Sequence, residues 1–327
     1  MELSVIVPTY RRPHSLLRVL ESLQRQVIHD GEILVVDNEA SPEIERLVLK
    51  NQSAFSVPLY YIAEPKLGLH HARHAGARAA KGQLLVFTDD DATFEANWLQ
   101  VYVKAFTAHA HMVAAGGPVR PRWEAEPPKW LQQFLKGKTM FPILSINDSG
   151  SMFSLDPRGY FFGVNMAIRR SILFEVGGFN PDSFGKVWLG NGETGLNHKL
   201  WQREMLVGYV PDAIVYHHIP AERMTLEYFR GRMANEGACD MYTRFHKKMP
   251  GPLGLLLHAS SIIFRNSLFW LIERLIAGQT NWICLRIQLQ AARARSQLSY
   301  VRRLVKDQEF RKFVQKHDWL TPSCTSE

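Results

Sequence analysis

Apolar and polar segments alternate regularly through the first part of the chain, and this pattern predicts strands separated by helices. Short apolar runs that are typical of buried strands occupy residues 3–7, 33–36, 58–62 and 84–87. Between them, apolar residues recur at helical spacing from residue 14, over 43–50 and over 70–80. Strands that alternate with helices indicate an α/β protein with a parallel, doubly wound sheet, and ligands of such sheets bind beyond the carboxyl ends of the strands.

The fourth apolar run leads directly into Asp89, Asp90 and Asp91, in the stretch LLVFTDDDA. Three adjacent carboxylates repel one another, so a fold keeps them at a strand end only where positive charge or solvent surrounds them. Divalent cations such as Mg²⁺ take oxygen ligands and usually bind phosphate oxygens as well. The stretch is therefore a candidate metal–diphosphate site, and a solvated acidic turn is the alternative.

Other polar residues at or near the same predicted edge are candidates for ligand contacts. In chain order these candidates are Pro8, Thr9, Arg11, Asp37, Lys66 and Arg73. Asp37 either accepts an N–H from a nucleotide base or opens a turn after its strand. Lys66 and Arg73 either contact base, ribose or phosphate oxygens or are surface charges.

Four segments, in order, carry a family resemblance: SVIVPTYRRP, EILVVDNEASP, EPKLGLHHARHAGARAAKG and LLVFTDDDA. Together they resemble the nucleotide-binding half of the family 2 inverting glycosyltransferases. The resemblance covers about residues 3–240. It implies a GT-A domain at 1–240, with a Rossmann-like, mostly parallel sheet and flanking helices, a donor half at about 1–118 and an acceptor half at about 119–240.

The same resemblance implies a nucleotide-diphosphate-sugar donor, with a UDP-sugar as the choice from family frequency. Asp37 would contact the base, and Asp89 the ribose or a metal ion. Asp91, together with Asp90 or Asp89, would hold Mn²⁺ or Mg²⁺ against the diphosphate. His217, at the end of an apolar strand, would lie near the metal or the phosphates; a structural histidine is the alternative.

A glycine-rich loop, LGNGETGL at 189–196, resembles the segment that carries the general base in this family. Many relatives have two adjacent acids here, and alignment on Leu196 places Glu193 at the second position and Gly192 at the first. Glu193 is thus the predicted base, and the missing first acid is a departure from the family pattern. An acid favoured by a helix N-terminus is the alternative for Glu193.

Two weaker candidates for acceptor contacts are Asn165 and Trp188, and a structural hydrogen bond is an equal alternative for Asn165. Residues 136–158 are polar and irregular, and we expect a mobile lid over the donor. The strand predicted at 113–119 and the strand predicted at 210–218 belong to the acceptor half.

The C-terminal part has a different composition. The net charge of the chain is +8, and residues 241–327 carry 14 Lys and Arg against 5 Asp and Glu. The apolar stretch at 253–276 includes charged residues, which are costly inside a bilayer. We therefore expect a basic, amphipathic helical extension at 241–327 that lies on an anionic membrane surface. A helical bundle or a dimer contact is the alternative.

Three scattered cysteines and the absence of a recognisable signal peptide favour a cytoplasmic protein, peripheral at the inner face of the cell membrane. No nucleic-acid motif accompanies the basic tail, so nucleic acid is not an expected partner. The sequence predicts a metal-dependent, inverting glycosyltransferase of the hexosyltransferase type, acting in polysaccharide biosynthesis. Its acceptor is a hydroxyl of a glycan, a lipid-linked saccharide or a polymer precursor.

Two other classes of protein compete with this prediction. A non-catalytic GT-A module could bind nucleotide or glycan as a scaffold. Its only support is Gly192 in place of the first acid, and the intact run of three aspartates argues against it. A sugar nucleotidyltransferase would need a glycine-rich loop after the first strand, and PTYRRP is not such a loop.

Overall fold

The computed structural model describes residues 2–184, 187–188, 190–275 and 282–321. In chain order the strands are β1 (Leu3–Thr9), β2 (Gly31–Asp37), β3 (Leu59–Ala63), β4 (Leu84–Phe87), β5 (Ala92–Phe94), β6 (Ala114–Gly116), β7 (Val119–Trp123), β8 (Met140–Phe141), β9 (Ile146–Asn147), β10 (Ser154–Asp156), β11 (Met166–Arg169), β12 (Ser183–Phe184), β13 (Val187–Trp188), β14 (Val207–Tyr209) and β15 (Val215–Ile219).

The α-helices are α1 (Pro13–Leu23), α2 (Pro42–Asn51), α3 (Leu69–Ala79), α4 (Trp98–Ala108), α5 (Lys129–Leu135), α6 (Arg170–Glu175), α7 (Gly192–Gln202), α8 (Leu226–Lys247), α9 (Pro252–Leu275), α10 (Trp282–Lys306) and α11 (Gln308–Gln315). Short 3₁₀ turns occupy Gln52–Ala54, Pro142–Leu144 and Ala221–Met224.

The central sheet has eight strands in the order β10-β14-β6-β11-β4-β1-β2-β3. Strands β1, β2, β3 and β4 are parallel, and β11 is antiparallel to both β4 and β6. Ile6 pairs with Leu34 on one side and with Phe87 on the other, so the three strands end at the same edge. The predicted α/β class and mostly parallel sheet are confirmed, and the strand-end residues meet as expected.

Both faces of this sheet are covered, which explains the continuous apolar runs of its strands. Val5, Val35 and Val86 face one core, which includes residues of α1, α2 and α4. Ile6 and Phe87 face a second core, which includes residues of α3, α6 and α7. Strands that are buried on both sides have no polar face, so they read as unbroken apolar segments.

A second sheet of five strands, in the order β5-β15-β7-β9-β8, adjoins the acidic stretch. Strand β5 begins at Ala92, immediately after Asp91, and Ala92 pairs with His217 of β15. This pairing brings the end of the acidic stretch beside a histidine that lies more than a hundred residues away in the chain. The register of β15 against β5 therefore places His217 beside the acidic stretch.

Several predicted boundaries differ from the structure. The strand predicted at 113–119 is divided into β6 and β7, because Pro118 has no N–H to donate to a continuous ladder. The segment 136–158 contains the short strands β8, β9 and β10. Of the strand predicted at 210–218, only the part from Val215 onward is strand, and α7 begins at Gly192, inside the loop predicted at 189–196.

The C-terminal extension is helical, as predicted, and it packs against the rest of the chain. Helix α8 runs through residue 240, so the predicted domain boundary falls inside a continuous helix. The Trp319 N–H donates to the Gly177 carbonyl at 3.0 Å, and Leu320 is buried in the second core. Of the helices that the structure describes, none is both long and apolar enough to cross a bilayer.

Candidate functional site

A single buried arginine joins the acidic strand end to the predicted base. Arg73 lies on α3 and is 1% exposed; its Nη2 donates to Asp89 Oδ1 at 3.1 Å and its Nη1 donates to Glu193 Oε2 at 3.2 Å. The side chains of Asp89 and Glu193 are 31% and 27% exposed. The structure thus places two partly accessible carboxylates on either side of one guanidinium, at the edge where ligands of this fold bind.

The surroundings of Arg73 are shaped to hold it. A side chain at Gly163 would bring a Cβ within 2.2 Å of Arg73 Nη2, so only glycine leaves room for the guanidinium. The ring of Phe179 lies 5.1 Å from Arg73 Cζ, which is within the range of a cation–π contact. The predicted contact of Arg73 with donor oxygens stays a prediction; what the structure shows is its role in fixing Asp89 and Glu193.

Asp90 is held by the last residue of β1 and by the loop that follows it. Thr9 Oγ1 donates to Asp90 Oδ2 at 2.8 Å, and Arg12 Nη1 lies 3.1 Å from Asp90 Oδ1. Burial raises the pKa of Asp90 to about 6, and the neighbouring carboxylate of Asp91 adds to the rise. Arg11 forms an ion pair with Glu39 at the surface. Arg12, which we did not single out from the sequence, is the arginine of this loop that contacts the aspartates.

Asp91 lies between two arginines and a histidine. Its Oδ2 accepts from Arg223 Nη2 at 2.7 Å and from Arg12 Nη1 at 3.2 Å. Its Oδ1 is buried without a hydrogen-bond donor among the described residues, and His217 Nε2 lies 3.4 Å away. Burial opposes ionisation of Asp91, but the contact with His217 and the charges of Arg223 and Arg12 outweigh it and lower its pKa.

The orientation of His217 follows from its two ring contacts. Nδ1 lies 2.9 Å from the Leu144 carbonyl, which can only accept, so Nδ1 carries the proton. Nε2 lies 2.9 Å from Arg223 Nη1 and accepts from it. The Nε2 lone pair, which is the one that could bind a metal ion, is thus directed at Arg223, so a metal would have to displace that contact.

Asp91 and His217 could supply some, but not all, of the ligands of a divalent cation. Asp91 Oδ1 and His217 Nε2 are two ligand atoms, one of them an orphaned buried oxygen, that face the same place. In the described part of the chain, no group of three or more His, Cys, Asp or Glu side chains is arranged to hold a metal ion. A cation bound here would therefore need further oxygen ligands from a phosphate group or water, as Mg²⁺ usually does.

Asp37 at the end of β2 is buried and shapes the following turn. Its carboxylate accepts from the Glu39 and Ser41 N–H groups at 3.0 and 2.6 Å and from Tyr61 Oη at 3.1 Å. These contacts show the turn-forming role that the sequence left open. A carboxylate has about four lone-pair sites, of which these contacts use three, and the Asp37 side chain is fully buried beneath them.

Asn38 holds the loop that contains Lys66. Its Nδ2 donates to the carbonyls of Glu64 and Lys66 at 2.8 Å each, and its Oδ1 accepts from the Gly68 N–H. The Lys66 side chain is exposed, whereas Pro8 is buried within β1. The loop backbone is thus fixed beside the strand ends while the lysine stays free to reach a ligand.

The two weaker acceptor candidates are placed differently. Asn165 is fully buried; its Oδ1 accepts from Trp98 Nε1 and Tyr102 Oη, and its Nδ2 donates to the Pro118 and Ala213 carbonyls. Its polar capacity is used within the fold, so the contacts favour the structural alternative. Trp188 lies in β13, and its side chain is outside the described residues.

A further carboxylate, which the sequence did not point to, lies beside Gly192. Asp182 is 3% exposed, and neither of its oxygens has a hydrogen-bond partner among the described residues. Burial raises its pKa to about 7; the charge of Arg73 opposes this rise, and those of Glu193 and Asp89 add to it. A Cβ at Gly192 would lie 2.6 Å from Asp182 Oδ1. Asp182 therefore occupies space beside the position of the missing first acid.

Three residues near the site were missed from the sequence: Arg12, Asp182 and Arg223. Arg12 could have been found by weighing both arginines of the PTYRRP loop equally. Arg223 and Asp182 lie in segments without a distinctive spacing, and only the pairing of β15 with β5 and the course of the loop before α7 bring them to the aspartates.

A mostly parallel sheet, an acidic strand end and a carboxylate held beside it define a protein of the GT-A class. Residues 4–177 match the family model described as Glycosyl transferase family 2, and the chain belongs to that family. The predicted family and GT-A fold are thereby confirmed.

Two curated relatives and one solved structure illustrate the likeness. A glucosyl-dolichyl phosphate glucuronosyltransferase of Haloferax volcanii is 26% identical over 185 residues, covering 56% of this chain and 57% of that protein. The succinoglycan biosynthesis protein ExoM of Rhizobium meliloti is 24% identical over 241 residues, covering 72% and 73%. The mannosyltransferase PcManGT from Pyrobaculum calidifontis, in complex with GDP-Man and Mn²⁺, has a TM-score of 0.56 at 19% identity, covering 95% and 85%.

Proposed function

We propose that this protein is a metal-dependent, inverting glycosyltransferase of the hexosyltransferase type. It would transfer a sugar from a nucleotide-diphosphate donor to a hydroxyl of a glycan, a lipid-linked saccharide or a polymer precursor. The observation that carries the proposal is the position of Glu193, which Arg73 holds beside Asp89. A partly exposed carboxylate thus lies next to the edge where the donor is expected to bind.

Glu193 would act as the general base. As the acceptor oxygen attacks the anomeric carbon, Glu193 takes its proton, and the nucleoside diphosphate leaves from the opposite face. Proton transfer by a positioned side chain contributes about 10²–10⁴-fold to the rate. Arg73 acts as a positioning residue, because its two hydrogen bonds fix Glu193 relative to Asp89.

Asp91 and His217 are the residues proposed to hold Mn²⁺ or Mg²⁺, with Asp89 close by. The orphaned Asp91 oxygen supports this, and so does the Mn²⁺ bound together with GDP-Man in the structurally similar mannosyltransferase. When bound, the ion would neutralise the charge of the leaving diphosphate. Arg12 and Arg223 already pair with Asp91, and their guanidinium groups are suited to contact phosphate oxygens.

The nucleoside would lie over the ends of β1 and β2. Thr9 and Pro8 border this edge, and Asp37, at the end of β2, would accept a base N–H once the turn that covers it shifts. A uracil base offers such an N–H, and so does a guanine base. A UDP-sugar remains our first choice, and GDP-mannose is the donor to compare with it.

The proposed cellular site is the inner face of the cell membrane, through α9. Large apolar side chains of this helix are exposed at helical spacing: Leu253, Leu256, Leu257, Phe264, Leu268 and Leu271. Basic residues of the C-terminal region would add attraction to anionic lipid. The name of the Haloferax volcanii relative indicates a lipid-linked saccharide, which fits an acceptor held in a bilayer.

The membrane proposal is tested by sedimentation with vesicles of phosphatidylglycerol and of phosphatidylcholine. We expect the protein to sediment with the anionic vesicles, and the double variant Phe264→Glu, Leu268→Glu to lose this binding. Val305→Glu, at an exposed position of α10, is the control and should keep it. If the double variant sediments like the unmodified protein, α9 is not the contact; a dimer that it disrupts would favour the dimer alternative.

The catalytic proposal is tested with labelled UDP-sugars and GDP-mannose, with and without Mn²⁺. We expect metal-dependent hydrolysis of at least one donor, and a loss of about 10²-fold or more in Glu193→Gln with nucleotide binding retained. Metal-dependent stabilisation by the nucleotide should disappear in Asp91→Ala. Nucleotide binding without hydrolysis or transfer would favour the non-catalytic scaffold.

A further inference from the structure

A cavity of about 620 Å³ lies between α7, α8, α9 and α10, next to the proposed base. Its wall includes Thr194, the residue after Glu193, and Glu236 of α8. Burial raises the pKa of Glu236; Arg232 and Arg293 oppose this rise, whereas the negative charges of Asp240 and Glu193 add to it. Thr194 directly follows Glu193 in the first turn of α7, so the cavity begins at the end of that helix that carries the carboxylate we assign as base.

The cavity has the size of a ligand site and continues away from the base. Pockets for small molecules typically enclose about 300–1,000 Å³. A second cavity of about 240 Å³ shares Asp240, Arg265 and Gln297 with the first, so the two adjoin along α9 and α10. The combined space can take a ligand longer than one compact group.

The lining favours a neutral ligand rich in hydroxyl groups. The acids Glu236 and Asp240 are matched by Arg244 and Arg265, so the wall has no strong charge of either sign. Asp240 is already paired with Arg293 and accepts from Gln297 Nε2 at 2.6 Å. The same wall also includes the hydroxyl side chains of threonine and serine and the apolar ring of Phe245. A pyranose ring presents the same combination, with hydroxyls at its edge and C–H groups on its face.

Helix α9 separates this cavity from the exposed apolar surface. His258, Ser261, Ile262 and Arg265 recur at three- and four-residue intervals and line the cavity. The opposite side of the helix carries the exposed leucines and Phe264 described above. All of the residues that line either cavity lie outside 4–177, the part of the chain that matches the family model. This site therefore belongs to the chain's own C-terminal half.

We propose that the cavity between α7, α8, α9 and α10 binds the acceptor as a neutral saccharide. The reacting hydroxyl lies beside Glu193, and the following sugar extends along α9 and α10. In the reaction the acceptor O–H bond breaks and its proton goes to Glu193. The acceptor oxygen bonds to the anomeric carbon, and the diphosphate leaves with the electron pair of the broken C–O bond. This inference rests on the proposed function, because it needs Glu193 as the base.

The test uses p-nitrophenyl glycosides of neutral monosaccharides and disaccharides as acceptors, with a glycoside of a uronic acid as the anionic comparison. Donor hydrolysis without acceptor is measured in parallel. Ser261→Trp places a large ring at the cavity wall. Ser260→Trp is the matched control, because Ser260 is the adjacent exposed residue of the same helix and is not part of that wall.

We expect transfer to a neutral glycoside, with a lower KM for the disaccharide. Ser261→Trp should raise the KM for that glycoside about tenfold or more and leave donor hydrolysis unchanged, because only acceptor binding is blocked. Ser260→Trp should change neither.

An unchanged KM in Ser261→Trp, or an equal rise in Ser260→Trp, would overturn the assignment. So would preference for the uronic acid, or transfer to none of the neutral glycosides by a protein that hydrolyses its donor. A protein that neither binds nor hydrolyses any nucleotide sugar would overturn the proposed function itself, and this inference with it.

Discussion

Arg73 and Glu193 are joined by a hydrogen bond of 3.2 Å between Nη1 and Oε2, across 120 residues of sequence. The other end of the same guanidinium binds Asp89 at 3.1 Å. The donor edge of the sheet and the N-terminal turn of α7 are therefore held together through one buried cation. The geometry of the proposed reaction depends on this contact, because it sets the position of the base relative to the acidic stretch.

Replacement of Arg73 by methionine is expected to destabilise the fold and abolish donor hydrolysis. Removal of one partner of a buried ion pair leaves the other charges uncompensated and typically costs about 3–5 kcal/mol. Chemical denaturation measures the free energy of unfolding. Arg78→Met is the matched control, because Arg78 lies on the same helix with its side chain 41% exposed, and it should cost far less. Equal losses in the two variants would contradict a special role of Arg73.

Arg223 is expected to compete with a metal ion for Asp91 and His217. It donates to Asp91 Oδ2 and to His217 Nε2, so its positive charge lies against both proposed ligands. Arg223→Gln should therefore bind Mn²⁺ more tightly in the absence of nucleotide than the unmodified protein does, as measured by calorimetry or by the electron paramagnetic resonance of free Mn²⁺. Arg230→Gln, an exposed arginine of α8, should leave the affinity unchanged. Weaker Mn²⁺ binding in Arg223→Gln would argue against this competition.

The strand ends were predictable from the sequence because each depends on a local pattern. Apolar runs bounded by Thr9, Asp37 and Asp89 fix where the strands of a parallel sheet stop, and parallel strands in register end at one edge. Glu193 was placed by its resemblance to a family segment. The burial of Arg73 between two carboxylates could not be predicted, because α3 contains a second arginine and three histidines with no spacing that separates buried from exposed positions.

In the C-terminal half, the sequence predicted the helices but not how they pack. The composition of this region indicates helices. The face of α8 that packs against α10 depends on contacts between distant residues, such as the ion pair of Asp240 with Arg293. The position of Asp182 beside Gly192 also depends on the folded course of the chain. The sequence shows that position 192 has a glycine where many relatives have an acid. It does not show that Asp182, ten residues earlier, lies beside this glycine.

Gly192 and Asp182 are expected to be energetically coupled. Gly192 has φ +44°, which favours glycine, and a Cβ there would meet Asp182 Oδ1 at 2.6 Å. Gly192→Ala should destabilise the protein, and the loss should be smaller in an Asp182→Ala background. Contacting residues typically show coupling of about 0.5–3 kcal/mol in such a double-mutant cycle.

Gly137→Ala provides the control for backbone strain alone. Gly137 also has a positive φ, +71°, but no described atom lies within 4 Å of the place of its Cβ. Its substitution should cost the strain of the left-handed backbone and should not couple to Asp182→Ala. Additive effects of Gly192→Ala and Asp182→Ala would show that the two side-chain positions do not compete for space.

Asp182→Asn is expected to stabilise the fold increasingly as the pH rises from 5 to 8. Burial raises the pKa of Asp182 to about 7, so between the unfolded value, about 4, and 7 the folded state binds the proton more strongly than the unfolded state. The free energy of unfolding therefore falls as the pH rises from about 4 to 7. The asparagine variant has no titrating group at this position, so its free energy of unfolding does not fall for this reason. Melting temperatures of the two proteins at several pH values test this. Exposed Asp212→Asn should show no such trend, and a constant difference for Asp182→Asn would refute the argument.

Asn165→Ala is expected to reduce stability without a direct effect on acceptor binding. The change leaves the Trp98 Nε1–H and Tyr102 Oη–H donors and two backbone carbonyls, of Pro118 and Ala213, without their partner in a fully buried place. A buried polar group that loses its partner typically costs about 1–3 kcal/mol, so the sum should be readily measurable by denaturation. The KM for a glycoside acceptor, measured well below the melting temperature, should stay close to that of the unmodified protein. A selective rise in that KM with unchanged stability would restore Asn165 as an acceptor contact.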